Sequence, residues 1–160
     1  MKKVNVAPGQ KFLVINWLEL HKGCELLASY IRESGKLYDS ILTANRGGLI
    51  VAGIVANILD IRKIAYMGIS ILNDDDPIKT PFVTIHSQLN PATLTENVLF
   101  VSDFLRTGNT VLYVCNHTKS LNPSIQIDVS AIYYSRNSAI EPVYYVTQFQ
   151  DEWLILPWDS

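Results

Sequence analysis

Residues 102–110, Ser-Asp-Phe-Leu-Arg-Thr-Gly-Asn-Thr, place an acid, a cation, two threonine hydroxyls and a glycine in one short stretch. Before it stands the apolar run Val98-Leu99-Phe100-Val101, and after it a helical pattern reaching about Lys119. A loop between a strand and a helix N-terminus presents unpaired backbone N–H groups with partial positive charge, which suit a phosphate. Gly108 allows tight curvature, and the hydroxyls of Thr107 and Thr110 donate to phosphate oxygens. Asp103 can hold sugar hydroxyls, or Mg²⁺ through water. The same residues also suit an ordinary strand-to-helix turn capped by Thr or Asn. Two other phosphate signatures, G-x-x-x-x-G-K-[ST] and G-x-G-x-x-G, are absent from the chain.

The elements that must position this loop follow from periodicity. Asn16-Trp17-Leu18-Glu19 reads as a capping box opening a helix, with Leu20, Cys24, Leu27 and Ile31 at helical spacing and Ser34-Gly35 at its end. Residues 38–44 read as a strand, stopped by Asn45-Arg46-Gly47-Gly48, and a second helix runs to about Leu59. Strands are expected at residues 64–72, 82–85, 98–101, 127–134 and 142–147. Strands alternating with helices predict an α/β fold with a mostly parallel twisted sheet flanked by helices. Ligands in such sheets bind at the carboxyl ends of the strands, near the reversal of strand order.

A chain of 160 residues with 48% apolar and 18% charged side chains suits one domain over residues 1–160, neither disordered nor a coiled coil. Thirteen Lys and Arg against fifteen Asp and Glu leave a net charge of -2, so no nucleic-acid partner is expected. The longest greasy stretch, residues 49–59, is too short for a bilayer, and no membrane partner is expected. Cys24 and Cys115 read as buried hydrophobes in a reducing compartment, and the cytoplasm is the expected location. His21, His86 and His117 lack metal-ligand spacing, and His21 and His117 read as helix-surface residues. The tyrosines at 133, 134, 144 and 145 read as sheet core or a subunit contact.

Three segments carry a resemblance. Residues 98–110, V-L-F-V-S-D-F-L-R-T-G-N-T, resemble the phosphoribosyl-pyrophosphate (PRPP) motif of type I phosphoribosyltransferases. Residues 45–50, N-R-G-G-L-I, resemble that family's pyrophosphate loop. The ending Glu152-Trp153-Leu154-Ile155-Leu156-Pro157-Trp158-Asp159 is similar to that of xanthine-guanine and other 6-oxopurine members. The resemblance implies the type I fold with a small C-terminal hood segment. It also implies transfer of ribose 5-phosphate from PRPP to a purine base, with release of pyrophosphate and a requirement for Mg²⁺. Thr107, Gly108, Asn109 and Thr110 are then expected at the 5′-phosphate, and Arg46, Gly47 and Gly48 at the pyrophosphate. Ser102 and Asp103 are expected at the ribose, Asp103 at the metal, and Trp153 and Leu154 at the base. The peptide between Asn45 and Arg46 is expected to be cis, and the assembly a homodimer or homotetramer.

Three positions depart from the family pattern. Ser102 replaces the first acid, and Arg106 replaces an Asp near N7 of the base. Ser135 falls near the lysine that donates to the purine 6-oxo group, with Arg136 one place later as its expected substitute. A guanidinium cannot act as a general base at neutral pH, although it can pair with phosphate. A catalytically weak or inactive PRPP- or nucleotide-binding regulatory protein on the same fold is the alternative. Asn73-Asp74-Asp75-Asp76-Pro77 reads as a solvated turn, or as a hood over PRPP.

Overall fold

The computed structural model describes residues 11–44, 46–72, 82–150 and 152–159. The Asn45–Arg46 peptide and the acidic run at 73–77 therefore lie outside the described residues. The order along the chain is β1 (Phe12–Val14), α1 (Trp17–Glu33), β2 (Ser40–Ala44), α2 (Gly47–Leu59), β3 (Lys63–Leu72) and β4 (Phe82–Ser87). A single 3-10 turn, Pro91–Thr93, leads into β5 (Asn97–Leu105), α3 (Asn109–Leu121), β6 (Gln126–Ser135), β7 (Tyr144–Phe149) and β8 (Trp153–Ile155).

The first helix starts where its cap dictates. The Asn16 side chain accepts from the Glu19 N–H at 2.9 Å, and the Asn16 N–H donates to the Glu19 carboxylate at 2.9 Å. Two of the helix's orphan donors are thereby satisfied. Leu20, Cys24, Leu27 and Ile31 form its buried stripe, as their spacing requires.

Six strands form the main sheet in the order β4-β3-β2-β5-β6-β7. All its pairings are parallel except β3 with β4. From the neighbours β2 and β5 the chain winds outward in opposite directions, through α2 to β3 and through α3 to β6. Helices α1 and α2 pack on one face with Leu99, Val101 and Ile132. Helix α3 packs on the other with Val98, Phe100 and Val129. Strand order reverses between β2 and β5, and the crevice at their carboxyl ends is where such sheets place ligands.

Two features differ from the sequence expectation. Strand β5 continues past Val101 to Leu105, because β6 runs alongside and pairs Ser102 with Ala131 and Phe104 with Tyr133. Ser102 and Asp103 therefore sit on the sheet rather than in a loop. The C-terminal segment also has a strand partner that the sequence did not announce, β8 pairing in parallel with β1 as a separate two-stranded sheet. Each strand has three residues and too little periodicity to announce itself.

Both cysteines are free and buried, and burial pushes the Cys24 thiol up to about 11 and that of Cys115 to about 12. His21 lies exposed beside Glu25, and His117 stacks on Tyr113. Tyr133 and Tyr134 are core residues. Among the described residues no helix is long and apolar enough to cross a membrane.

At the amino ends of the strands, Asp128 accepts from Lys36 and from the Tyr38 hydroxyl. The Tyr38 hydroxyl also accepts a contact at 3.2 Å from the hydroxyl of Tyr144, which lies 3.0 Å from Ser34 Oγ at the end of α1. Burial alone would raise the Asp128 carboxyl, but the hydrogen bonds from Lys36 and Tyr38 outweigh it and leave the group below its ordinary value. Stability from this carboxylate is therefore complete above the ordinary carboxylate pKa and is lost as pH falls through the depressed one. Asp128→Asn is expected to destabilise the protein by about 1 kcal/mol at neutral pH. In acid its thermal unfolding midpoint, followed by circular dichroism, should converge with that of the unaltered protein.

Candidate active site

Three strand ends and the C-terminal turn meet in the crevice. Asp103, near the end of β5, is half-buried with its Oδ2 turned toward the start of α2. A Cβ built on Gly47 would stand 1.9 Å from that oxygen and 2.5 Å from the Trp158 ring. Only glycine permits this approach, and it brings the first turn of α2 directly against the Asp103 carboxylate. Gly48 is equally confined, its Cβ position lying 2.6 Å from Thr43 Oγ1. That hydroxyl donates to the Val101 carbonyl at 2.7 Å and ties β2 to β5 beneath the helix start. Arg46, exposed, precedes the two glycines, and its carbonyl accepts from the Leu49 N–H.

Burial pushes the Asp103 carboxyl above the ordinary carboxylate range. The N–H groups of Phe104 and of Asp103 itself oppose the shift, the Asp159 carboxylate adds to it, and the Ser102 hydroxyl, 3.5 Å from Oδ1, opposes it. A carboxyl group so placed holds its proton longer than a surface acid does.

After β5 the chain turns through Arg106-Thr107-Gly108 into α3. Gly108 caps the helix with φ at +79°, in the left-handed region. Thr107 Oγ1 accepts weakly from the Asn109 N–H at 3.4 Å, and the Thr107 carbonyl accepts from Ala139 at 2.7 Å. The turn is thus braced by the segment that follows β6.

Two cavities adjoin here. The first, about 190 Å³, is lined by Ala44, Ser102, Asp103, Thr107, Gly108 and Thr110, together with Phe104, Leu105, Arg106 and Val111. Hydroxyls and the helix N-terminus make it a cradle for a phosphate with a sugar attached. The second, about 320 Å³, is walled by Trp153, Leu154, Leu156, Trp158 and Asp159. Asp103, Phe104 and Arg106 line both. The guanidinium of Arg106 lies over the Trp153 ring, 4.1 Å from its centroid. The Trp158 edge meets Trp17 of α1 at 5.9 Å, and Asp159 Oδ2 accepts from the Leu156 N–H at 3.0 Å, which closes the turn.

The structure thus gathers Ser102, Asp103, Arg106, Thr107, Gly108, Thr110, Trp153 and Leu154 around one crevice, with Gly47 against Asp103. Asn109 is on the first turn of α3 but does not line the cradle. Arg136 lines neither cavity; its Nε donates to Gln148 at 3.2 Å, just beyond the end of β6. Sequence reasoning passed over Trp158 and Asp159 as individual site residues. Their signal was the Pro157-Trp158-Asp159 turn, which reaches back to Gly47. Among the described residues no three His, Cys, Asp or Glu side chains gather as a metal cage. Asp103 offers one half-buried carboxylate beside the cradle, which fits a Mg²⁺ held mainly by water and substrate oxygens.

Comparison with known proteins agrees with this geometry. The model of the phosphoribosyl transferase domain matches residues 16–159. A xanthine-guanine phosphoribosyltransferase of Idiomarina loihiensis is 27% identical over 147 residues, covering 91% of this chain and 85% of that protein. One from Nitratidesulfovibrio vulgaris is 26% identical over 155 residues, covering 94% and 86%. The crystal structure of a purine phosphoribosyltransferase from Pyrococcus horikoshii superposes with a TM-score of 0.77 at 23% identity, covering 93% of this chain and 95% of that one.

Proposed function

The chain belongs to the phosphoribosyl transferase domain family, and from that premise we propose that it transfers ribose 5-phosphate from PRPP to a 6-oxopurine base and releases pyrophosphate. The observation that carries this reading is the pair of cavities joined at Asp103, Phe104 and Arg106. One suits a sugar phosphate and the other a flat aromatic base, and the shared wall is where a bond between them would form.

In this reading the backbone N–H groups at the start of α3, with Thr107 and Thr110, hold the 5′-phosphate. Arg46 and the amides of Gly47 and Gly48 receive the pyrophosphate, where charge grows as it departs. Asp103, with Ser102 beside it, holds the ribose hydroxyls and offers the one carboxylate oxygen for Mg²⁺. When bound, that ion neutralises pyrophosphate charge. Trp153 and Leu154 form the apolar surface on which the base lies. Holding the two reactants aligned supplies much of the rate, because positioning alone can replace a large entropic cost. Guanine, xanthine and hypoxanthine are the acceptors in this reading, in a salvage role. The reading also takes residues 1–160 as one domain, acting in the cytoplasm as a homodimer or homotetramer.

Incubation with PRPP, Mg²⁺ and each of guanine, xanthine, hypoxanthine and adenine tests the proposal. Pyrophosphate release is expected with at least one 6-oxopurine and not with adenine. Release no higher than the blank with every base would sink it. A second reading, a regulatory protein that binds PRPP or a nucleotide without turnover, is favoured by Ser102 and Arg106, which stand in place of acids. Under that reading the same incubation gives no release, while PRPP binds tightly in calorimetry.

A further inference from the structure

Helix α2 lacks the polar face that an outer helix needs. From Gly47 to Leu59 it holds no charged residue. Its outer stripe runs through Leu49, Ile50, Gly53 and Ile54, with Leu49 38% and Ile50 36% exposed. On β3, Ala65, Met67 and Ile69 pack in the core on the α3 side, so alternation turns Ile64 and Tyr66 toward the α2 side. There they stand 37% and 44% exposed. A helix apolar all round and a parallel-paired strand open on one side are elements that proteins normally cover. Gly53 adds a second observation. It is the middle residue of the helix, where glycine costs stability relative to alanine, yet a Cβ there would meet nothing within 4 Å. No contact among the described residues requires glycine at this position. A second backbone crossing the helix there does.

The charges at the two ends of α2 are reversed with respect to its own dipole. Arg46 stands at the positive N-terminus with no capping hydrogen bond from its side chain, and Asp60 stands at the negative C-terminus. Asp60 is also left-handed, with φ at +56°, where glycine is usual. Its carboxylate lies 4.0 Å from Arg62, and with both side chains almost wholly exposed that contact offsets little. Arg46 and Asp60 each lie seven residues from Gly53, nearly two helical turns, and so return to the stripe that Gly53 occupies. Arg62 and Lys63 come after the left-handed turn and leave the line of the helix. An apolar centre with opposite charges at equal distances on either side is complementary to itself when turned about its middle. We propose that a second copy of this chain covers the face, its α2 running antiparallel across a two-fold axis at Gly53, with Arg46 of each copy against the partner's Asp60. Each reversed charge then meets both its opposite and the helix end that suits it. The inference gives the homo-oligomer of the transferase reading its contact, and rests on that part of the reading. Because the same reading sets Arg46 at the pyrophosphate, each site borders on the contact.

The test measures assembly and turnover separately. Sedimentation equilibrium on the full chain should give the mass of two or four copies. Gly53→Arg, which sets a long cation on the axis, should halve that mass while circular dichroism still shows a folded protein. Asp60→Arg sets like charges against each other across the contact and should weaken association at least about tenfold. Adding Arg46→Asp restores opposite signs and should recover it, which a purely local effect at position 60 would not allow. A monomer, an oligomer that Gly53→Arg leaves intact, or a double variant that associates no more tightly than Asp60→Arg alone would each overturn the inference. An oligomer that dissociates as expected yet releases no pyrophosphate from PRPP with any base would count against the transferase reading and leave the contact standing. Release by a chain that is monomeric throughout would do the reverse.

Discussion

Asp103→Asn is expected to lower kcat/KM at least about 10²-fold and, in the same molecule, to raise the unfolding temperature. The activity loss follows from the carboxylate's place between the two cavities, where it is assigned to the ribose and the metal. An amide of the same shape keeps the packing against Gly47 but supplies no negative charge. The stability gain follows from the direction of the carboxyl's shift. Burial raises its pKa, so between the ordinary value and the raised one the folded state keeps a proton that the unfolded state has released. Stability therefore falls as pH rises through that interval, and the full cost is present above it. Asparagine carries no such cost. At neutral pH the metal-free variant should therefore unfold at a higher temperature than the unaltered protein, as followed by circular dichroism. The gain should vanish in acid, where Asp103 of the unaltered protein is protonated in the folded and the unfolded state alike. A variant that is inactive and also less stable at neutral pH would mean that the carboxylate is held by favourable contacts rather than against its preference.

Gly108→Ala carries the second large effect. At φ +79° a side chain costs about 1–2 kcal/mol. The added methyl would also stand 2.4 Å from Ser138 Oγ and 2.9 Å from Ile140 Cγ2, an overlap typically worth a further 1–3 kcal/mol, or about 2–5 in all. The segment it strikes is bonded to the phosphate turn through the Ala139 N–H and the Thr107 carbonyl, so relief of the clash shifts Thr107 as well. Denaturant unfolding should show the stability loss, and PRPP should bind at least about tenfold more weakly. Adding Ser138→Ala removes the nearest obstruction but not the backbone strain. The double variant should therefore recover part of the stability and not all of it. Full recovery would place the whole cost in the clash.

Much of this site can be read from short-range chemistry. The capping box at Asn16, the Thr-Gly-Asn-Thr turn and the Arg-Gly-Gly start of α2 act through neighbours in sequence, and each lies where its local pattern puts it. What could not be read depends on partners far along the chain. The extension of β5 through Asp103 is set by β6, which supplies the pairing partner. The stacking of Arg106 on Trp153 needs two segments that no periodicity relates. Arg136 has a suitable sequence position, yet its side chain is taken by Gln148 on β7. The strands β1 and β8 are too short to show a pattern, and their pairing joins opposite ends of the described chain.

That pairing has a consequence for how the site comes apart. The phosphate cradle is built from β5 and α3, adjacent in sequence and anchored in the main sheet. The base cavity takes Trp153 and Leu154 from β8, whose one strand partner among the described residues is β1. Closing the longest loop for three residues of ladder makes this the least protected unit of the sheet system. Amide hydrogens of β1 and β8 should exchange ahead of those in β5. The acceptor half of the crevice can thus unlatch while the donor half stays intact, two foldons meeting at one carboxylate.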